Sequence, residues 1–290
     1  MARSSRSEIA AAVRAVTKPI RKRSLTRAGI PTPTAREVRQ RDPNNFRDLS
    51  TPIRHLTYHA CPFANSSAAW EWNLEQLRQR WHLFNGTKVL GVTYDKDTVS
   101  PDHFLMRCDD VGLIWDHVVV LPNSRGLGEV VTWIPSLELL TPDTAGPNEV
   151  VFSAHAKGVK YGEVIPPVIL DWASVMYSVN LSDWNRVQQS LEWFAATGAF
   201  RTRYSRTKSC QYGWYYSGAF FWWRLADIIR GDWRYVGQMY PGREVWIGHQ
   251  FQRNESDCLF LDNSASPYLP QYWRSKILPK WNKYQAERQT

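Results

Sequence analysis

The chain has 290 residues, 43% of them hydrophobic and 22% charged, which places it among globular proteins with a sizeable core and excludes a largely disordered chain. Its formal net charge of +9 is uneven: residues 1–50 hold 12 Lys or Arg against 4 Asp or Glu, while the other 240 hold 24 against 23. The body is nearly neutral, which argues against a nucleic-acid-binding body with a basic face.

No apolar run reaches the roughly 20 residues that span a bilayer, and the N-terminus lacks the continuous apolar core of a secretory signal. A cytoplasmic protein is expected. The basic N-terminal segment, residues 1–50, reads as a tail that is disordered or partly helical. Ser7 and Glu8 suit the start of a short helix with Ile9, Val13 and Val16 on one side, fit for peripheral contact with the inner face of a membrane. Pro31, Pro33, Pro43 and Pro52 mark an extended linker. Cys61, Cys108, Cys210 and Cys258 form no close pair, so a structural zinc site is rejected and reduced cysteines are expected.

From residue 51 to 290 the pattern is one α/β domain with a mainly parallel sheet flanked by helices. A first strand is expected over 53–58. Ser66 or Ser67 caps a helix with Trp70, Leu74, Leu77, Trp81 and Phe84 on one face, stopped at Asn85-Gly86. Strands follow at 88–94 and 117–121, the latter apolar enough to be buried on both sides. A helix carries Val130, Val131, Ile134 and Leu137, with Pro135 as a possible kink. A fourth strand covers 150–155. Pro167 opens a helix with Ile169, Trp172, Ala173 and Met176 on one face, and Ser182 caps the next, which runs toward Gly198.

The stretch from Tyr212 to Arg224, YGWYYSGAFFWWR, sets four aromatics on each side of Ser217-Gly218. It reads either as a buried strand bulged at Gly218 or as a pocket wall, with aromatic faces for a sugar or a base and with Ser217 and backbone amides as polar contacts.

In a parallel sheet, ligands bind beyond the carboxyl ends of the strands. Polar residues at those positions are therefore the site candidates. Asp95 and Asp97 form a DxD after the second strand and are the candidate ligands of Mn²⁺ or Mg²⁺, set against a solvated turn. Asn123 and Arg125 follow the third strand. His155 and Lys157 follow the fourth in AHAKG and point the same way on an extended chain, suiting an anion such as phosphate. Arg125 and Lys157 together are able to bind a diphosphate without metal. Glu244, in GREVWIG, is a carboxylate among apolar residues, where burial raises a pKa toward that of a general base; His249 is the reserve candidate. Residues 257–263, DCLFLDN, read as a late strand ending in Asp262 and Asn263.

The ordered set HAKG, WYYSGAFFWWR, GREVWIG and CLFLDN resembles bacterial glycosyltransferase-like proteins of the nucleotide-diphospho-sugar transferase superfamily, over roughly 53–263. It is similar in style to polysaccharide-biosynthesis proteins in which an H-T-K-G-like strand end precedes an S-G-x-F-x-W segment. The resemblance implies a GT-A-like fold, a nucleotide-sugar donor and a saccharide or lipid-linked acceptor. It puts Asn123, Arg125, His155 and Lys157 near the donor phosphates, Ser217, Gly218 and Trp222 on the sugar or acceptor side, and Glu244 in the role of base. Many GT-A enzymes carry a DxD after a central strand; this chain has HAK there, which leaves metal dependence open. Two other classes stand beside a glycosyltransferase: a saccharide-binding protein without catalysis, and, more weakly, a nucleic-acid-associated protein that uses the basic tail.

Overall fold

Strand and helix alternate because the hydrophobic period alternates between 2 and 3.6 along the chain. The computed structural model describes residues 43–203, 213–262 and 267–288, which belong to one compact unit. In chain order these include β1 (Ile53–Ala60), α1 (Ser67–Arg78), β2 (Lys88–Tyr94), α2 (Pro101–Asp110), β3 (His117–Pro122), α3 (Val130–Glu138), β4 (Glu149–His155), α4 (Pro167–Leu181) and α5 (Trp184–Trp193). The short strands β5 (Ala196–Gly198), β6 (Arg201–Arg203), β7 (Trp214–Tyr216) and β8 (Phe221–Arg224) follow, then α6 (Gly242–Gln250), β9 (Ser256–Cys258) and the C-terminal α7 (Leu278–Ala286). The expected basic tail helix and Cys210 lie outside the described residues, as does Asn263.

Seven strands form one sheet in the order β3-β2-β1-β4-β8-β5-β9, and a second, two-stranded sheet pairs β6 with β7. β1 to β4 are mutually parallel, and β8 alone runs against the rest of the large sheet. The mixed α/β architecture with a mainly parallel sheet is therefore as the sequence pattern implies. Among the described residues no helix is long and apolar enough to cross a membrane.

Alternate side chains of the central strands feed two cores, one on each face. On the first face Leu56, Tyr58, Val92, Phe152 and Trp222 meet α1, α2, α4 and α5. On the second Val89, Val151, Phe221 and Trp223 meet Trp133 of α3 and Trp246 of α6. Aromatic rings dominate both: Trp222 stacks with Phe84 at 5.9 Å between centroids and meets Phe152 at a tilt at 5.1 Å, and Trp133 meets Trp246 edge-on at 5.0 Å. Such pairs add about 0.5–1.5 kcal/mol beyond the area they bury.

Several expectations need correction. The apolar run at β3 is an edge strand, not a strand buried on both sides; Val118 and Val120 are each 39% exposed. The first helix stops at Arg78, and Trp81–Leu83 form a separate turn before Gly86. α2 went unread although Ser100 caps it, accepting from the His103 N–H, and Pro101 opens it. Asp183, not Ser182, caps α5 through the Arg186 N–H, and the helix ends at Trp193 so that 196–198 can join the sheet. The aromatic stretch is neither one strand nor a bulge. β7 and β8 belong to different sheets, and residues 217–220 turn between them, with Gly218 at φ +90°. The late strand is limited to Ser256–Cys258. Cys61, Cys108 and Cys258 are free thiols.

Candidate functional site

β1, β2 and β3 step to one side of the sheet, and β4 returns to the other side of β1. That reversal opens a crevice beyond the carboxyl ends of β1 and β4, where α/β sheets bind ligands. A cavity of about 930 Å³ lies there, at the upper end of the range for small-molecule sites. His59 and His155, cross-strand partners at the ends of β1 and β4, both line it.

A chain of charged groups runs from the sheet into this cavity. Arg243, on α6, is 2% exposed and forms an ion pair with Glu129 at 3.2 Å. Its other guanidinium nitrogen donates to Ser153 Oγ (2.7 Å) and to the Ala154 carbonyl (2.8 Å), both on β4. The Glu129 carboxylate, just ahead of α3, also takes the Nδ1 of His155. His155 Nε2 is then the acceptor for the Lys157 ammonium at 2.8 Å. Lys157 lies 4.4 Å from the centre of the Trp172 ring and 4.0 Å from Glu244 Oε1.

Burial sets the protonation states. It pushes the His155 pKa down to about 4 despite Glu129, so the ring is neutral and a bare Nε2 faces Lys157. Burial also opposes the Glu129 charge, but His155 and Arg243 outweigh it and hold the carboxyl below the usual range. Lys157 is lowered by burial, against the pull of Glu244 and Glu129. Glu244 is raised by burial, with Lys157 opposing. A carboxylate poised upward and facing a cavity has the makings of a general base.

Backbone contacts fix the two ends of this chain. Asn73, fully buried on α1, clasps Lys157 from both sides: its Nδ2 donates to the Lys157 carbonyl (2.8 Å), and its Oδ1 accepts the Lys157 N–H (3.1 Å). The Tyr177 hydroxyl donates to the same Oδ1. Glu244 Oε1 accepts the Gly218 N–H at 2.9 Å. Glycine is favoured at position 218, because a Cβ would stand 2.5 Å from Met176 Sδ on a left-handed backbone.

The cavity's β2 and β3 side carries Lys96, Asp97, Asn123 and Arg125. Asn123 donates to Asp95 at 2.8 Å and Arg125 to Asp97 at 2.7 Å, so both carboxylates are engaged. Asp95 is not part of the lining, and among the described residues no three His, Cys, Asp or Glu are grouped to hold a metal ion. This donor set does not fit the divalent ion that the DxD implied. The β4 side carries Lys157, Lys160 and Glu244 with Trp172 and three tyrosines, Tyr161, Tyr240 and Tyr268.

The structure thus brings Asp97, Asn123, Arg125, His155, Lys157 and Glu244 to one cavity. Ser217 and Trp222 do not line it. Ser217 is buried with its N–H on the Phe200 carbonyl, and Trp222 is fully enclosed with its indole N–H on the Asn180 carbonyl. Gly218 acts from behind, through Glu244. Asp262 pairs with Arg201 and Arg253 away from this cavity. Sequence reasoning missed Glu129, Arg243 and Asn73. Asn73 did leave a signal, a polar residue three positions after Trp70 on the buried face of a helix.

No protein-family model matches this chain, and no curated protein does. Among solved structures it is similar to the nucleoside-diphosphate-sugar pyrophosphorylase from Vibrio cholerae RC9, with a TM-score of 0.39 and 8% identity over 76% of this chain and 98% of that one. So distant a likeness carries no functional weight; the cavity's own chemistry does.

Proposed function

We propose that the protein is a glycosyltransferase that takes a nucleotide-diphospho-sugar in this cavity and passes the sugar to a saccharide or lipid-linked acceptor. The observation that carries this reading is the meeting of Glu244, its carboxyl raised by burial, with Lys157 at the strand-order reversal. The nucleoside occupies the β2 and β3 side, near Asn123 and Arg125. The diphosphate reaches Lys157 and Lys160. The acceptor hydroxyl gives its proton to Glu244 as its oxygen bonds to the anomeric carbon, while the bond from that carbon to the diphosphate oxygen breaks. The nucleoside diphosphate departs with its charge met by the ammonium groups.

The test is calorimetry with a panel of nucleotide sugars, followed by transfer assays with any that bind. Glu244→Gln is expected to keep donor binding and to lower transfer about 10²–10⁴-fold. Full activity in that variant removes Glu244 as the base, and no binding of any nucleotide sugar removes the reading. A saccharide-binding protein without catalysis is the second reading, favoured by Trp172, Tyr161, Tyr240 and Tyr268 around the cavity. It predicts glycan binding with no nucleotide affinity.

A further inference from the structure

Resting on that reading, we infer that the diphosphate subsite is metal-free: Lys157 and Lys160 stand where a divalent cation would otherwise neutralise the pyrophosphate. Lys157 is 12% exposed on its side chain, lines the cavity and is fixed at both ends. Asn73 clasps its backbone and His155 takes one ammonium N–H. Glu244 Oε1, at 4.0 Å, is close enough to pair with the charge but too far to accept a hydrogen bond. An ammonium carries three donors, so donor capacity remains for a ligand oxygen. Lys160 adds an exposed second ammonium, 5.8 Å from the Tyr240 ring centre and 5.4 Å from that of Tyr161.

The acidic residues make the complementary case. Asp95 and Asp97 sit beyond β2, each bonded to a neighbour, Asn123 or Arg125. Glu129 is held between Arg243 and His155. Glu244 is the remaining carboxylate of the lining, and it faces a lysine. A divalent ion would have to displace these partners and to sit beside an ammonium, an arrangement of like charges that costs several-fold to many-fold in affinity.

The experiment is calorimetric titration of the full chain with inorganic pyrophosphate in EDTA, then in Mg²⁺ and in Mn²⁺, with a nucleotide-sugar panel run alongside. Pyrophosphate is expected to bind in EDTA, with affinity no better in either metal. Lys157→Met should weaken it about ten- to a hundredfold, the worth of a charge-assisted hydrogen bond, and exposed Lys160→Met a few-fold. Melting temperatures check that each variant is folded; if Lys157→Met does not fold, Lys160→Met and the metal arms still decide. Binding of pyrophosphate or nucleotide sugars that requires metal overturns the inference and leaves the transferase reading intact. Pyrophosphate bound in EDTA with no nucleotide sugar bound does the reverse. Unchanged affinity in both lysine variants overturns the subsite, and binding of neither ligand overturns both.

Discussion

Replacing Arg243 with Met tests whether the buried charge chain is as tightly coupled as its geometry implies. Met preserves much of the volume, so the loss is electrostatic. Glu129 would keep its charge, with its side chain only 16% exposed and no cation at 3.2 Å. Ser153 Oγ and the Ala154 carbonyl would lose donors at 2.7 and 2.8 Å. Breaking a buried ion pair by removing one partner costs about 3–5 kcal/mol. The two lost hydrogen bonds belong to the same network and do not add in full, so a total of about 4 kcal/mol is expected. Urea denaturation at pH 7.5 reads this as a fall in midpoint of roughly 1–2 M. Glu129→Gln in the same background should recover part of the loss, because the uncompensated charge disappears with it. A single-variant loss under about 1 kcal/mol, or additivity of the two substitutions within about 0.5 kcal/mol, would refute the coupling.

Other perturbations have equally definite signs. His59 and His155 are buried, with pKa values lowered to about 3 and about 4, while the unfolded chain titrates near 6.5. Their neutral forms favour folding fully above about pH 6.5, and that contribution is lost as pH falls and the unfolded state gains protons; at pH 5 each costs about 2 kcal/mol. Equal urea stability at pH 7.5 and pH 5 would contradict this. Gly218→Ala forces a Cβ to 2.5 Å from Met176 Sδ at φ +90° and should cost about 2–3 kcal/mol while lowering the proposed transfer more than the proposed donor binding, since the amide that holds Glu244 moves. Trp222→Ala should cost about 3–5 kcal/mol in stability and leave ligand affinity per folded molecule unchanged, because its ring lies wholly in the core. A selective loss of glycan or donor binding in that variant would return Trp222 to the pocket wall.

The sheet was largely legible because β1, β2 and β4 are locally unambiguous: KVLGVTY and VVFSAH are apolar runs bounded by turn residues. β3 was legible as a strand but its place in the sheet was not, because an edge strand and a fully buried strand share the same apolar composition; only the pairing partner distinguishes them. The aromatic run misled for a related reason. Eight aromatics around Ser217-Gly218 look like one surface, yet the left-handed turn at Gly218 separates the chain into two sheets, and within β8 the ordinary strand alternation sends Phe221 and Trp222 to opposite faces. In the site, His155, Lys157 and Glu244 stood out by residue type and position after a strand or within an apolar segment. Glu129 and Arg243 did not, because each reads as an ordinary surface charge until a contact more than 20 residues away is known.

The charge chain also has a closed form that its members do not show one at a time. It leaves α6 at Arg243, passes through Glu129, His155 and Lys157, and comes back to α6 at Glu244, the next residue. The first turn of that helix therefore does two jobs with adjacent side chains. Arg243 points under the end of β4 and ties the helix to Ser153 and Ala154, while Glu244 points into the cavity. Gly242 lets the start of the helix close onto the preceding loop, since a Cβ there would stand 2.0 Å from the Gly237 carbonyl oxygen. The spacing between the proposed base and the proposed phosphate-binding lysine therefore depends on how α6 seats on β4 as well as on the contacts that hold the Lys157 side chain. A substitution that shifts the helix start, at Gly242 as much as at Arg243, should change the Lys157–Glu244 separation and thereby transfer, without touching any group that meets the ligand.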